Sequence, residues 1–110
     1  MKDKLKAYLG FAIKSGKIVF GYDKLFESKK NPILVLICST LNEKNTNKVN
    51  LYCEQKNIKC IKLNEVLGDL VSRDNCKVIA ICDNNFANII CNELDLLNGN
   101  NKVGEVNIGI

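Results

Sequence analysis

Residues 33–49 read ILVLICSTLNEKNTNKV. The run Ile33 to Cys38 is continuously apolar and of strand length, as expected of a strand covered on both faces. Directly after it, Thr40-Leu41-Asn42-Glu43 matches a capping box, so a helix is expected to start there, with Val49, Tyr52 and Cys53 on its inner face. A buried strand running straight into a capped helix is the repeating unit of an α/β protein.

The same alternation extends in both directions. Downstream, IKCIKL (58–63) reads as a strand, and Asn64 caps a short helix carrying Val66, Leu67, Leu70 and Val71. KVIAIC (77–82) is the next buried strand, and Asp83-Asn84 caps a last helix with Phe86, Ile90, Leu94 and Leu97 inside. Upstream, Leu5, Tyr8, Leu9, Ala12 and Ile13 recur at helical spacing, and Ser15-Gly16 supplies a left-handed stop. Ile18-Val19-Phe20 forms a short strand. Gly21 then opens a helix with Tyr22, Leu25 and Phe26 inward, ended by Asn31-Pro32. The order α-β-α-β-α-β-α-β-α predicts an α/β fold: a three-layer α/β/α sandwich around a central mixed, mostly parallel four-stranded sheet. Residues 1–98 are expected to form one domain. Residues 99–110, GNNKVGEVNIGI, are rich in Asn and Gly, yet Val106, Ile108 and Ile110 alternate, so a tail competes there with an added edge strand.

Composition narrows the class. In 110 residues, 46% are hydrophobic and 25% charged, the balance of a soluble globular chain. No apolar run approaches the ~20 residues of a membrane helix. MKDKLKAYLG at the N-terminus carries an Asp and lacks the apolar centre of a signal peptide. A cytoplasmic monomer with no membrane association is therefore expected. The net charge of +4 is uneven: residues 1–30 hold eight lysines against Asp3, Asp23 and Glu27, whereas the rest of the chain holds eight basic and nine acidic residues. A surplus gathered in the first third favours a polyanionic partner such as nucleic acid.

The six cysteines (Cys38, Cys53, Cys60, Cys76, Cys82 and Cys91) include no C-x-x-C, and the chain has no histidine. Cys38, Cys60 and Cys82 lie in or beside apolar strands, where a free thiol behaves as a small hydrophobe, so neither metal nor cofactor is expected. Catalysis finds no support either. Ligands of compact α/β sheets sit beyond the strand C-termini, here Ser39-Thr40, Leu63-Asn64 and Asp83-Asn84. A phosphoacceptor or metal-binding role for Asp83 needs carboxylates from a neighbouring strand end, and Ser39-Thr40 supply none. There is no G-x-G-x-x-G and no P-loop. Asp83 reads as a helix cap, and no catalytic group is nominated.

The glycines of AIKSGKIVFGYDKLFESKK (12–30) point elsewhere. Gly16 lets the first helix stop sharply, and Gly21 opens the second without a side chain, so that an anion can approach the first-turn N–H groups. Lys17 and Lys24 flank this start, and Lys29 and Lys30 follow the helix.

LGFAIKSGKIVFGYDKL, LVLICSTLNEKNTNKV and LGDLVSRDNCKVIAICDNNFA, taken together and in register, resemble the kink-turn RNA-binding ribosomal-protein family, the L-seven-Ae and L-thirty-e group, and within it the small bacterial YlxQ-like members. The resemblance spans roughly residues 3–98. It implies an α/β/α sandwich that binds structured RNA, kink-turn-like or ribosomal, without catalysis, alongside ribosomal or translation proteins. It also implies a site. In the family, an Asn-Glu-x-x-Lys arrangement after the glycine reads sheared G·A pairs, and an apolar loop before the last strand packs on an extruded base. By position, Gly21 matches the glycine, Asp23 the Asn, Lys24 the Glu and Glu27 the Lys. Val71, Ser72, Arg73, Asp74 and Asn75 match the loop. The departures are chemical: Asp23 cannot donate as Asn does, Lys24 and Glu27 exchange the expected charges, and Ser72 stands where a glycine is usual. RNA binding through Lys17, Gly21, Asp23, Lys24, Glu27, Lys30, Val71, Ser72 and Arg73, with altered specificity, is the expectation. A protein-interaction module on the same scaffold is the alternative.

Overall fold

The computed structural model describes residues 2–27, 30–73 and 75–98. The segment 99–110, with its choice between tail and strand, lies outside the described residues, as does the Leu97 side chain. The elements run α1 (Lys2–Lys14), β1 (Ile18–Phe20), α2 (Tyr22–Glu27), β2 (Leu34–Ile37), α3 (Glu43–Lys56), β3 (Lys59–Lys62), α4 (Leu67–Val71), β4 (Val78–Ile81) and α5 (Asn84–Asn98). Every expected element between residues 2 and 98 is present in the expected order.

Period-two alternation along the strands sorts the core into two halves. Leu34, Leu36 and Cys38 join Ile79 and Ile81 on one face, packed with Leu5, Leu9 and Ala12 of α1, Leu67 and Leu70 of α4, and Ile90 and Leu94 of α5. Val35, Ile37, Val78 and Ala80 turn to the other face, against Leu25 of α2 and Val49 and Cys53 of α3. β2 and β4 are buried along their whole length because helices cover both sides.

The sheet has strand order β1-β4-β2-β3, and it is not mostly parallel. Only β2 and β3 pair in parallel, while β4 runs antiparallel to both β1 and β2. Ile81 is the register partner of both Ile18 and Leu34, and Leu34 is also the partner of Lys59, so β1, β2 and β3 share one direction. The single reversed strand sits in the middle and converts two pairings. Its reversal follows from the connection before it. Leu63 N–H bonds to Ile37 O, and Cys38 N–H bonds to Lys77 O, so β3 ends and β4 begins at the same end of β2. The five residues of α4, about 8 Å of helix, pack on α1 at that end and do not carry the chain back across the sheet. Alternation alone does not distinguish such a connection from a crossover.

Three local expectations are also corrected. Asn64 does not cap α4: the helix starts at Leu67, its N-cap is Val66 with no side-chain capping bond, and Val66 is 43% exposed because it precedes the first turn. The N-cap of α3 is Asn42, whose side chain accepts from Asn45 N–H at 2.7 Å, and not Thr40. Thr40 is drawn instead to Cys38 and Lys77. In α2, Leu25 is buried, Tyr22 is half-buried and Phe26 is 40% exposed, because a helix of six residues brings one position fully onto the sheet.

Two helical glycines have opposite roles. A Cβ on Gly68 would lie 2.6 Å from the backbone carbonyl oxygen of Arg73, whereas one on Gly10 would meet no described atom within 4 Å. Gly10→Ala is therefore expected to stabilise the fold by about 0.5–1 kcal/mol through reduced backbone entropy. Gly68→Ala is expected to cost about 1–3 kcal/mol, since a backbone atom must move. Urea denaturation of both variants checks the sign at each position.

Candidate nucleic-acid interface

The antiparallel pairing of β1 and β4 brings the chain leaving β1 beside the chain entering β4. Gly21 N–H donates to Val78 O at 2.8 Å, and Gly21 O accepts from Leu25 N–H at 3.1 Å to begin α2. Gly21 has φ 99°, and a Cβ there would meet nothing closer than Lys24 Cγ at 4.0 Å. Conformation, and not lack of space, requires glycine at this position.

On the other side of this junction, α4 ends on Ser72 in the left-handed conformation, φ 57° and ψ 39°. This is the position where the resemblance leads one to expect glycine. Arg73 N–H donates to Gly68 O at 3.0 Å, and the Arg73 guanidinium lies 3.9 Å from the Phe20 ring centroid, a cation–π contact across the end of β1. Gly21, Asp23, Lys24, Ser72 and Arg73 are thus gathered at one end of the sheet.

The other nominated residues are not. Val71 is 6% exposed and belongs to the core. Lys17 precedes β1, and its carbonyl accepts from Cys82 N–H at 2.8 Å. It therefore sits at the opposite end of the strand from Gly21, about 13 Å of extended chain away, and does not flank the start of α2. Lys30 Nζ donates to Gly16 O at 2.8 Å at that same far end. Asp23 and Glu27, four residues apart, share one exposed side of α2. Lys29 and Asp74 lie outside the described residues. The lysine surplus of the first thirty residues is divided as well: Lys4, Lys6 and Lys14 are exposed on α1, which packs on the opposite face of the sheet from α2. With only six residues in α2, the helix dipole at its start is small, so side chains and the adjoining loop define the surface.

The residues that hold this junction in place escaped sequence reading. Cys38, at the end of β2, has its Sγ 3.1 Å from Thr40 Oγ1 and accepts from Leu67 N–H at 3.3 Å. Lys77 Nζ donates to the same Thr40 hydroxyl. Burial opposes ionisation of the Cys38 thiol, but hydrogen bonds from Thr40 and Leu67 and the charge of Lys77 bring its pKa below the ordinary thiol value. The cluster ties the β2 end to α4 and so to the loop bearing Arg73. Burial pushes the Cys76 and Cys82 thiols up. Of the three strand cysteines, Cys38 is fully buried, while Cys60 and Cys82 are half-buried. Among the described residues no three His, Cys, Asp or Glu side chains converge as a metal site, and no helix is long and apolar enough to cross a membrane. Asp83 accepts from Phe86 N–H at 3.0 Å, the capping role expected of it.

Comparison with known proteins adds two findings. The model of the Ribosomal protein L7Ae/L30e/S12e/Gadd45 family matches residues 3–91. Among solved structures, a Bacillus halodurans C protein of unknown function is similar in fold, with TM-score 0.73 and 20% identity over 84% of this chain and 97% of that one. No curated protein matches the sequence.

The backbone at the junction is testable apart from any ligand. Gly21→Ala is expected to destabilise the fold by about 1–3 kcal/mol, because an L-residue is strained at that φ. Ser72→Gly is expected to stabilise it by about 0.5 kcal/mol, from relief of ~1–2 kcal/mol of left-handed strain less the entropy cost of glycine. Thermal unfolding at one pH distinguishes the two.

Proposed function

Because the chain belongs to the Ribosomal protein L7Ae/L30e/S12e/Gadd45 family, we propose that it is a non-catalytic RNA-binding protein that meets structured RNA with the start of α2 and the loop between α4 and β4. The observation that supports this best is the convergence at one sheet end of Gly21, Lys24 and an Arg73 held over Phe20. A guanidinium fixed on a ring is preorganised for phosphate or for a base face. Lys17 and Lys30, one strand-length away, reach the same RNA only through its backbone. Association with the ribosome or the translation machinery, a cytoplasmic setting and a YlxQ-like subgroup complete the reading.

Specificity for a standard kink-turn is altered. Asp23 offers only acceptors where a donor is wanted, and Lys24 and Glu27 present their charges in exchanged places. Mismatch at a bidentate base contact costs ~1–3 kcal/mol in DNA recognition, so two such mismatches weaken a standard kink-turn by roughly 30-fold to 20,000-fold.

Binding to a labelled kink-turn RNA at graded salt tests the proposal. Lys24→Ala and Arg73→Ala should each weaken binding and flatten log K against log[salt] by about one unit, while Lys14→Ala on α1 leaves the slope unchanged. The triple reversal Asp23→Asn, Lys24→Glu, Glu27→Lys should tighten binding by more than a charge-matched control, since it leaves the net charge one unit higher. Nanomolar affinity of the unmodified protein at physiological salt would contradict the altered specificity. Absence of RNA binding at any salt, with a defined protein co-purifying, would transfer the site to protein recognition.

A further inference from the structure

Beside the proposed contact, a row of aromatic side chains crosses from α2 to α3. Tyr22 and Phe26, one helical turn apart, meet edge-to-face with centroids 5.0 Å apart and planes at 79°. Phe26 meets Tyr52 of α3 in the same manner, at 5.1 Å and 87°. Tyr52 Oη donates to Leu25 O at 3.3 Å, and Lys56 Nζ stands 5.5 Å from the Tyr52 ring centroid. Both ring contacts and the hydrogen bond hold Phe26 in place, yet it remains 40% exposed. On α3, Lys48, Tyr52 and Lys56 follow at four-residue intervals and so share one side of the helix, with both lysines exposed.

We propose that this aromatic face is a second RNA contact, which takes an unpaired nucleotide by stacking on Phe26 while Lys48 and Lys56 hold its flanking phosphates. The inference rests on the RNA-binding reading above. Three features favour it. The row starts at Tyr22, the residue after Gly21, and is therefore continuous with the proposed RNA surface. Its rings are fixed before binding, so a base that stacks there orders little side chain. Its rim on α3 is cationic, which suits a phosphate backbone; an apolar protein partner would bury those ammonium groups. Asp23 and Glu27 lie along the adjacent side of α2 and confine the favourable track to the α3 side of the row.

The test compares a kink-turn hairpin with the same hairpin carrying a single-stranded five-uridine extension, each labelled and titrated with wild type and variants. Stacking of one base contributes ~1–3 kcal/mol, so the extension should tighten wild-type binding by about 5-fold to 150-fold. Phe26→Leu keeps an apolar side chain but no ring face. It should lose that gain while binding the plain hairpin like wild type, and Phe26→Trp should keep the gain. Lys56→Ala should reduce the gain and lower its salt slope by about 0.7. Equal wild-type affinity for both RNAs, or a gain retained by Phe26→Leu, overturns this inference and leaves the first contact standing. Failure of wild type to bind either RNA overturns both. A protein that co-purifies with wild type but not with Phe26→Asp, with no effect of the extension, would assign the face to protein docking.

Discussion

The reversed central strand is the constraint on which the rest of the architecture depends. Running against both neighbours, β4 begins where β1 ends, with Phe20 paired to Ile79, and the Gly21 N–H to Val78 O bond closes that junction at 2.8 Å. Were β4 parallel to β1, its entry loop would emerge at the far end, beside Lys17, and nothing would bring Arg73 over Phe20. The site is thus a consequence of strand direction before it is a consequence of side chains. This also explains why the connection through α4 must stay short and local. The Cys38, Thr40 and Lys77 contacts fasten it to the end of β2; of these, the bond from Leu67 N–H to Cys38 Sγ is buried, where an unpaired polar group would have little access to water.

Strand direction is also where sequence reading met its limit. The unbroken apolar runs at 33–38 and 78–82 gave away two strands buried on both faces, and helical spacing gave the helices around them. Neither signal carries direction. A strand-helix-strand order is the same string whether the helix crosses the sheet or folds back at one end, and only the shortness of the 64–76 connection hints at the second. Capping chemistry was legible in kind but not in position. Thr40 and Asn42 are both good caps, and the choice fell to Asn42 because the Thr40 hydroxyl is engaged by the neighbouring Cys38 thiol and by the ammonium group of Lys77, distant in the chain.

For the site the balance was different. The glycine at 21 could be read as opening α2 without a side chain, and its φ of 99° adds a conformational requirement that the reading did not contain. Proximity could not be read. Lys17 and Lys24 are seven residues apart and seemed to flank one helix start, but a strand intervenes and sets them at opposite ends. Val71 seemed to belong to a surface loop, but it completes the last turn of α4 and faces the core. Phe26 moved the other way: helical spacing counted it as interior, and the brevity of α2 left it on the surface beside Tyr52. In each case the error came from tertiary geometry that no window of adjacent residues contains.

The departures from the family pattern fall on one kind of atom. Main-chain features of the junction are set by the fold: a positive φ at Gly21, a left-handed residue at 72 even without glycine, and close approach of the Arg73 carbonyl to Gly68. Side-chain features change: Asp for Asn, exchanged charges at 24 and 27, and a polar loop. Main-chain geometry here is coupled to the sheet through Val78 and to α4 through Gly68, so altering it costs stability of the whole fold. The side chains at 23, 24 and 27 are exposed, and the fold does not depend on their chemistry in the same way. A recognition surface built this way keeps its shape under the pressure of folding while its chemistry is free to be reset.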